Sequence, residues 1–306
     1  MTDPNESPPT ESPPTEIAGY VLERAIATGG TGEVFRAHDA SGNTVAIKRL
    51  RPELAMSSSA RRRFVRESVL TRELDHPAIV RVIDAGLDPR ERPFIVYEWI
   101  AGRRIADLPA CSTREARRIA LELLDALAYA HREGVVHRDL SAANVLVQHD
   151  GRVRVIDFGL AHMLERSLDE TSYSMLSRSG VVLGTPPYLA PEQVEGWDVD
   201  PRADLWAVGA LVFRLVTGRA VFRASTPTLT MFKCVSEDAP SLREHAPHVS
   251  DTFAAAVATA LERDRDRRWQ TAVELSEALA SVEVDDVALE HESDIDEPVT
   301  RSLGSR

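Results

Sequence analysis

The sequence predicts a two-lobed α+β protein, in which a small antiparallel sheet lobe with one helix precedes a larger, mainly helical lobe. Three observations lead to this fold class. Short strand-like runs of alternating apolar residues recur between Tyr20 and Glu98. One helical pattern interrupts these runs at Ala60–Leu74. Beyond Arg103 the apolar residues recur at three- and four-residue spacing, as in Arg114–Glu133, which is typical of amphipathic helices.

The elements can be placed in order along the chain, because polar, Gly- or Pro-containing segments separate most of them. Strands of the small lobe are predicted at Tyr20–Ala27, Val34–Asp39, Thr44–Arg51, Val80–Gly86 and Phe94–Glu98. After Arg114–Glu133, helices of the large lobe are predicted at Arg202–Thr217, Leu229–Val235, Thr252–Leu261 and Thr271–Ser281. The small lobe is therefore assigned to residues 19–98 and the large lobe to residues 99–280.

Both ends of the chain differ from this region in composition. Residues 1–18 contain the near-repeat ESPPTESPPTE, whose prolines favour an extended, solvated leader. Eight acidic residues fall between Glu283 and Glu297 with few apolar partners. We therefore expect residues 281–306 to form a disordered acidic tail.

Composition and charge exclude several classes of protein. The chain has 306 residues, 43% of them hydrophobic, and a formal net charge of −12, which argues against a protein that coats nucleic acid. The longest apolar stretch, Trp206–Val216, is too short for a membrane-spanning helix, which needs about 20 residues. The N-terminus lacks the features of a secretory signal, so we expect a cytoplasmic protein with no membrane association. Cys111 and Cys234 are predicted to be unpaired, buried thiols.

A glycine-rich segment and a lysine point to phosphate binding. Residues 27–34, ATGGTGEV, lie between two predicted strands, so the backbone of this hairpin could lie close over phosphate groups. A hairpin turn without a ligand would look the same. Lys48 follows the apolar strand residues Val45–Ile47 and is one of only two lysines in the chain. These features favour a buried ammonium that holds phosphate over a surface lysine, with Glu67 on the Ala60–Leu74 helix as its partner.

The most specific signal is the run Val135–Leu146, VVHRDLSAANVL, in which Asn144 follows Asp139 by five residues. Thirteen residues later comes Asp157, in the run VIDFG. Two carboxylates and an amide on neighbouring loops can hold a hard cation through oxygen while one carboxylate faces a substrate hydroxyl.

Together these motifs resemble the signature of protein kinases, and the chain is similar to eukaryotic-like bacterial Ser/Thr protein kinases over about residues 20–280. The resemblance implies a protein kinase fold that uses ATP and Mg²⁺, with Mn²⁺ as an alternative. Lys48 would hold the α- and β-phosphates and pair with Glu67, and Asp139 would orient or deprotonate the attacking hydroxyl. Asn144 and Asp157 would coordinate the metal ion.

The resemblance also assigns the nucleotide-binding residues. The glycine-rich loop over the phosphates would comprise Ala27, Thr28, Gly29, Gly30, Thr31, Gly32 and Val34. The adenine would lie between Ile26, Val34, Ala46 and Leu146, with Tyr97 at the back of the pocket. The backbone from Glu98 to Ile100 would hydrogen-bond the edge of the base.

Further segments match the family. Residues 184–192, GTPPYLAPE, resemble the substrate-docking end of the activation segment, where Thr185 favours Ser/Thr substrates. The resemblance pairs Glu192 with Arg268, and Asp204 resembles the family's anchor under the catalytic loop. By their distance from this segment, Ser177 and Ser179 match the usual autophosphorylation positions, which Arg138 would bind once they are phosphorylated.

Two departures from the family pattern keep a second interpretation open. Ala27 replaces the first glycine of the loop, and Ser141 replaces a lysine that contacts the transferring phosphate. We expect an ATP-dependent kinase that acts on protein Ser/Thr hydroxyls in bacterial signalling and self-associates for trans-autophosphorylation. The alternative is a pseudokinase that binds nucleotide and acts through its partners. A small-molecule phosphotransferase is disfavoured, because it would not need residues 184–192.

Overall fold

A computed structural model of the chain describes residues 16–29, 32–58, 61, 64, 68, 71–158 and 185–283. Over these residues an antiparallel sheet with one longer helical stretch precedes a largely helical region. This order confirms the predicted α+β class and its two lobes.

The small lobe is built on a six-stranded sheet in the order β1-β2-β3-β4-β6-β5. Its strands are β1 Glu16–Ile17, β2 Tyr20–Thr28, β3 Gly32–His38, β4 Thr44–Leu50, β5 Val82–Leu87 and β6 Pro93–Glu98. The short helix α1 (Pro52–Ala55) follows β4, and the described residues of 58–72 are helical (α2). Separate apolar clusters cover the two faces of the sheet, one around Ile95 and Tyr97 and the other around Ile47 and Val96. Successive residues of β6 therefore pack into different clusters, and both faces of this strand are buried.

The large lobe packs around one hydrophobic core. Its helices are α3 Thr113–Arg132, α4 Pro191–Glu195, α5 Arg202–Thr217, α6 Pro227–Ser236, α7 Leu242–His245, α8 Asp251–Ala260 and α9 Ala272–Ala280. Helix α5 is buried almost all round, whereas α3 buries one face against α5 and α9. Among the described helices, none is both long and apolar enough to cross a membrane.

A second sheet, β7-β8-β9, was not predicted from the sequence. Its strands are Gly102–Arg104, Val145–Gln148 and Val153–Val155, and they are too short for a clear period-two pattern. Strands β8 and β9 form an antiparallel hairpin, so the residues just before β8 and just after β9 lie at the same end. That end carries the two predicted metal ligands, Asn144 and Asp157.

The structure corrects both predicted boundaries of the folded region. Ile17, assigned to the disordered leader at 1–18, pairs with Tyr20 and is only 1% exposed. Val282, assigned to the tail at 281–306, is buried, and its carbonyl oxygen accepts a hydrogen bond from Arg117. An isolated apolar residue in a polar segment gives no periodicity, which is why the sequence pattern missed both. Residues 1–15 and 284–306 lie outside the described residues.

The two cysteines are free thiols, as predicted. Cys234 is buried and donates to the carbonyl oxygen of Leu189, and burial raises the pKa of its thiol to about 12. Cys111 is half-buried rather than buried, and burial raises its pKa to about 11. At neutral pH both groups are therefore protonated and poor nucleophiles.

Candidate active site

The glycine-rich segment forms the hairpin between β2 and β3. The Gly29 N–H donates to the Gly32 carbonyl oxygen at 2.9 Å, while Gly30 and Thr31 lie outside the described residues. A Cβ atom at Gly32 would lie 2.4 Å from the Arg49 carbonyl oxygen, so strand packing alone requires glycine there. Ala27 lies within β2 opposite Val34, in extended backbone that any residue tolerates. Alanine in place of glycine at position 27 therefore causes no backbone strain.

One face of the small-lobe sheet carries the predicted nucleotide-binding residues. Val34 lies directly opposite Lys48, and Ala46 lies directly opposite Tyr97. Opposite residues of antiparallel strands share a face, and so do residues two apart along a strand, which puts all four side chains on one side. We refer to this side as the cleft face, because Lys48 reaches Asp157 of the large lobe from it.

The remaining predicted adenine contacts are half-buried apolar side chains. They are Ile26 in β2, Ile100 after β6 and Leu146 in β8. Glu98 directs its carboxylate elsewhere, to the Arg81 N–H and the Arg154 guanidinium, and its own backbone N–H donates to the Arg81 carbonyl oxygen at 3.1 Å.

Lys48 forms an ion pair with Asp157, with 2.7 Å between Nζ and Oδ2. The lysine is only 9% exposed, which agrees with its prediction as a buried ammonium. Its predicted partner Glu67 lies outside the described residues. The other oxygen of Asp157, Oδ1, accepts a hydrogen bond of 3.1 Å from the Tyr97 hydroxyl. Burial, together with the charge and hydrogen bond of Asp157, raises the pKa of Tyr97 well above its usual value.

Asp139 lies in the loop after α3, where several groups orient it. Its N–H donates to His137 Nδ1 at 3.3 Å, and the Asn144 amide nitrogen donates to its carbonyl oxygen at 2.8 Å. The Thr185 hydroxyl lies 3.4 Å from Asp139 Oδ1. Burial raises the pKa of Asp139, and the negative charge of Asp157 acts in the same direction, while His137, Lys48 and Asn144 oppose the rise. A carboxylate with a raised pKa is a better proton acceptor.

Asn144 and Asp157 lie together at one end of the β8–β9 hairpin, where the Ile156 N–H donates to the Asn144 carbonyl oxygen at 3.0 Å. Hydrogen bonds from the Asn144 side chain use its amide nitrogen, which leaves the amide oxygen for a cation. Within the described ranges, no three His, Cys, Asp or Glu side chains lie close enough together to hold a metal ion by themselves. The available donors are therefore one amide and nearby carboxylates, a set of hard oxygens that fits Mg²⁺ or Mn²⁺.

A buried carboxylate fixes the loop that carries Asp139. Asp204 in α5 accepts hydrogen bonds from the backbone N–H groups of His137 and Arg138, at 2.9 and 2.8 Å. His131 Nε2 lies 2.8 Å from the same carboxylate. Burial acts to raise the pKa of Asp204, but the contacts with His131 and His137 outweigh it, so the pKa is lowered. Arg138 adopts a φ of +65°, which is unfavourable for a non-glycine residue.

Two of the residues that support this loop were missed by the sequence analysis. Gln193 donates from its amide nitrogen to the Arg138 carbonyl oxygen at 2.7 Å, and His131 contacts Asp204. Gln193 gives no local signal, because its partner is 55 residues away. His131 lies in the last turn of the amphipathic helix α3, six residues before His137. A basic residue is common at that position of a helix, so the sequence gives no reason to assign it a role in the site.

The predicted pair of Glu192 and Arg268 is present and buried. Two parallel hydrogen bonds of 2.6 Å join the guanidinium to the carboxylate. This pair fixes α4, and hence residues 185–190, against the end of the large lobe. Residues 159–184, with Ser177 and Ser179, lie outside the described residues.

Comparison with known proteins agrees with these features. A family model described as the protein kinase domain matches residues 20–279. A probable serine/threonine-protein kinase of Streptomyces coelicolor is 37% identical over 264 residues, covering 84% of this chain and 38% of the relative. One from Corynebacterium efficiens is 36% identical over 296 residues, covering 92% of this chain and 44% of the relative. The chain thus spans about two fifths of the length of these curated relatives.

The fold is similar to solved kinase structures. The kinase domain of Mycobacterium tuberculosis PknI superposes with a TM-score of 0.68 and 25% identity, covering 88% of this chain and 99% of that domain. Among sequence relatives, serine/threonine-protein kinase PknB of Mycolicibacterium smegmatis is 35% identical over 272 residues, covering 86% of this chain and 43% of that protein.

Proposed function

The chain belongs to the protein kinase family, related to bacterial Ser/Thr kinases, and on that premise we propose that it transfers the γ-phosphate of ATP to Ser and Thr hydroxyls of proteins. The observation that carries the proposal is the contact between Lys48 and Asp157 in a cleft that also holds Asp139 and Asn144. Members of the family use ATP and a divalent metal ion. We propose Mg²⁺ as that ion and the cytoplasm, where ATP is available, as the location.

The small lobe would bind the nucleotide. The apolar side chains of Ile26, Ala46 and Leu146 would enclose the adenine and exclude water from it. Lys48 would direct its ammonium to the α- and β-phosphates, since a flexible ammonium with three donors can hold phosphate while it remains near Asp157. Glu67 would pair with Lys48 in this state. The backbone of residues 27–34 would cover the phosphates.

The large lobe would align the acceptor. Asp139 would accept the proton of the substrate hydroxyl, and its raised pKa supports this role. The Thr185 hydroxyl, 3.4 Å from Asp139 Oδ1, also supports it, because a substrate hydroxyl would make the same kind of contact. Asn144 and Asp157 would hold the divalent cation, which when bound supplies the positive charge that offsets the charge of the phosphates.

Intact-mass measurement after incubation with Mg-ATP tests the proposal. The protein is incubated alone and with casein as a general acceptor, beside an Asp157→Ala variant, and phosphorylated residues are then mapped. We expect mass added in steps of one phosphate on Ser or Thr, including Ser177 and Ser179, and a loss of at least about 100-fold in rate in the variant.

The controls separate lost chemistry from lost folding. Far-UV circular dichroism and a thermal midpoint above the assay temperature show that Asp157→Ala is folded, although the loss of a partner for the buried Lys48 lowers that midpoint. If the parent protein gains no phosphate but Mg-ATP still raises its thermal midpoint, the transferase proposal is wrong, and the protein binds nucleotide without turnover. Phosphate on casein together with self-phosphorylation that accelerates with protein concentration would support protein substrates and trans-autophosphorylation.

A further inference from the structure

The Tyr97 side chain joins the sheet of the small lobe to the segment that carries Asp157. Its ring packs with Val80, Val82 and Ile95, and the residue is only 7% exposed. Its hydroxyl donates to Asp157 Oδ1 at 3.1 Å. A buried phenol needs a hydrogen-bond partner, and the partner here is a carboxylate that is proposed to bind the cation.

The two carboxylate oxygens of Asp157 accept hydrogen bonds from two donors, and only one of these donors is also proposed to bind phosphate. Oδ2 accepts from Lys48, and Oδ1 accepts from Tyr97. Under the proposed function Lys48 must also bind phosphate, so its contact with Asp157 is shared once the nucleotide binds. Among the described residues, the Tyr97 hydroxyl has Asp157 as its one hydrogen-bond partner, so nucleotide binding does not require this contact to be shared.

The backbone at Asp157 makes this contact important. Its φ is +62°, a conformation that costs a non-glycine residue free energy and needs support from surrounding contacts. The next residue is held by two contacts: the ring of Phe158 lies 4.6 Å from that of His137, and its carbonyl oxygen accepts from Thr71. Those contacts fix the backbone beyond Asp157, whereas Tyr97 holds the carboxylate itself.

We propose that Tyr97 is a positioning residue for the divalent cation: its hydroxyl fixes the carboxylate of Asp157 in the orientation that the cation requires. The proposal rests on the proposed function for the identity of the cation site. A carboxylate offers about four lone-pair positions, of which Lys48 and Tyr97 use two, so the hydroxyl orients Asp157 and leaves room for a metal–oxygen bond.

Binding of a non-transferable ATP analogue, AMP-PNP, tests the proposal without turnover. Its affinity is measured by calorimetry in EDTA and again in Mg²⁺, for the parent protein and for Tyr97→Phe. The ratio of the two affinities reports the contribution of the metal ion. We expect Tyr97→Phe to reduce this ratio about tenfold, the effect of losing a hydrogen bond to a charged group. The affinity in EDTA should change less than twofold.

Tyr20 provides a matched control. It lies in the same sheet, and its hydroxyl lies 3.5 Å from Asp84, away from the cleft face. Tyr20→Phe therefore removes the same atom from a similar pair, and it should leave the Mg²⁺ effect unchanged. Asp157→Ala should remove most of the Mg²⁺ effect and so mark its full size.

Three results would overturn the proposal. Unchanged affinities of Tyr97→Phe in both EDTA and Mg²⁺ would mean that the hydroxyl does not act on the metal ligand. A larger Mg²⁺ effect would mean that the hydroxyl competes with the cation. An equal loss of affinity in EDTA and in Mg²⁺ would assign Tyr97 a general role in the pocket. Because none of these measurements uses phosphate transfer, they separate failure of this proposal from failure of the proposed function.

Discussion

Ser141 lies at a position where the family pattern expects a different side chain. The family pattern expects a phosphate-contacting lysine at this position, two residues after Asp139. The serine is fully buried, and its hydroxyl has no hydrogen-bond partner within the described part of the chain. It therefore does not take the place of the missing lysine at a substrate phosphate. A buried hydroxyl without a partner costs free energy that an apolar side chain would not.

Replacement of Ser141 tests this description of its environment. We expect Ser141→Ala to raise the free energy of unfolding by about 1 kcal/mol, because it removes the unpaired hydroxyl, and to leave phosphate transfer within twofold. Urea unfolding and the mass assay measure the two effects. Ser112→Ala is the control of opposite sign, since the Ser112 hydroxyl caps α3 and its loss should cost about 1 kcal/mol. A similar loss in both variants would contradict the prediction.

The sequence predicted those site residues that belong to short motifs or are of a rare residue type. Asp139, Asn144 and Asp157 belong to short motifs, and Lys48 stands out in a chain with two lysines. The Tyr97 hydrogen bond was not predictable, because the two residues lie 60 positions apart and meet only through the packing of two sheets. The sequence predicted Tyr97 at the back of the pocket but gave no indication of the hydrogen bond that its hydroxyl makes.

At the scale of elements, the docking of α4 depends on one arginine. All five N–H groups of Arg268 have acceptors: the Glu192 carboxylate and the carbonyl oxygens of Arg202, Glu262 and Arg263. Its guanidinium also lies 5.1 Å from the ring centre of Trp206. No other side chain has this number and geometry of donors, so the site is specific for arginine and not merely for positive charge.

Arg268→Lys tests that specificity. Lysine keeps the charge but loses the planar fork, so Glu192 and the carbonyl oxygens are left partly unpaired in a buried place. We expect a loss of about 3 kcal/mol in the free energy of unfolding, measured by urea denaturation. Arg263→Lys is the matched control, because its ion pair with Asp238 is solvent-exposed and should change stability by less than about 0.5 kcal/mol. Equal losses in the two variants would show that charge alone suffices.

Element prediction succeeded where the apolar pattern is long and failed where elements are short. Helix α5 was predicted at its observed bounds, Arg202–Thr217, because its apolar run is long and ends at Gly218. The sheet β7-β8-β9 escaped prediction, because its strands are three or four residues long and their pairing is set by the loops they join. Yet this hairpin brings Asn144 and Asp157 together, so the site depends on an element that the pattern could not reveal.

At the scale of the whole molecule, the first described residues belong to the folded unit. Ile17 packs in the apolar cluster on the sheet face opposite the cleft, with Ala37, Ile47 and Val96. Strand β1 also extends the sheet by pairing with β2. We therefore propose residues 16–283 as the unit that folds, instead of the 19–280 predicted from composition. The correction is small in length but includes one fully buried side chain.

Two deletions distinguish these boundaries. Removal of residues 1–15 keeps Ile17, whereas removal of residues 1–18 exposes the surface that it covers. We expect the longer deletion to lower the free energy of unfolding by about 2 kcal/mol relative to the shorter one, the value of burying one large aliphatic side chain. Urea unfolding of both proteins measures the difference, and Ile17→Ala in the full chain should lose a similar amount. Identical urea midpoints for the two deletions would mean that β1 adds nothing to stability and that the folded unit begins at Gly19.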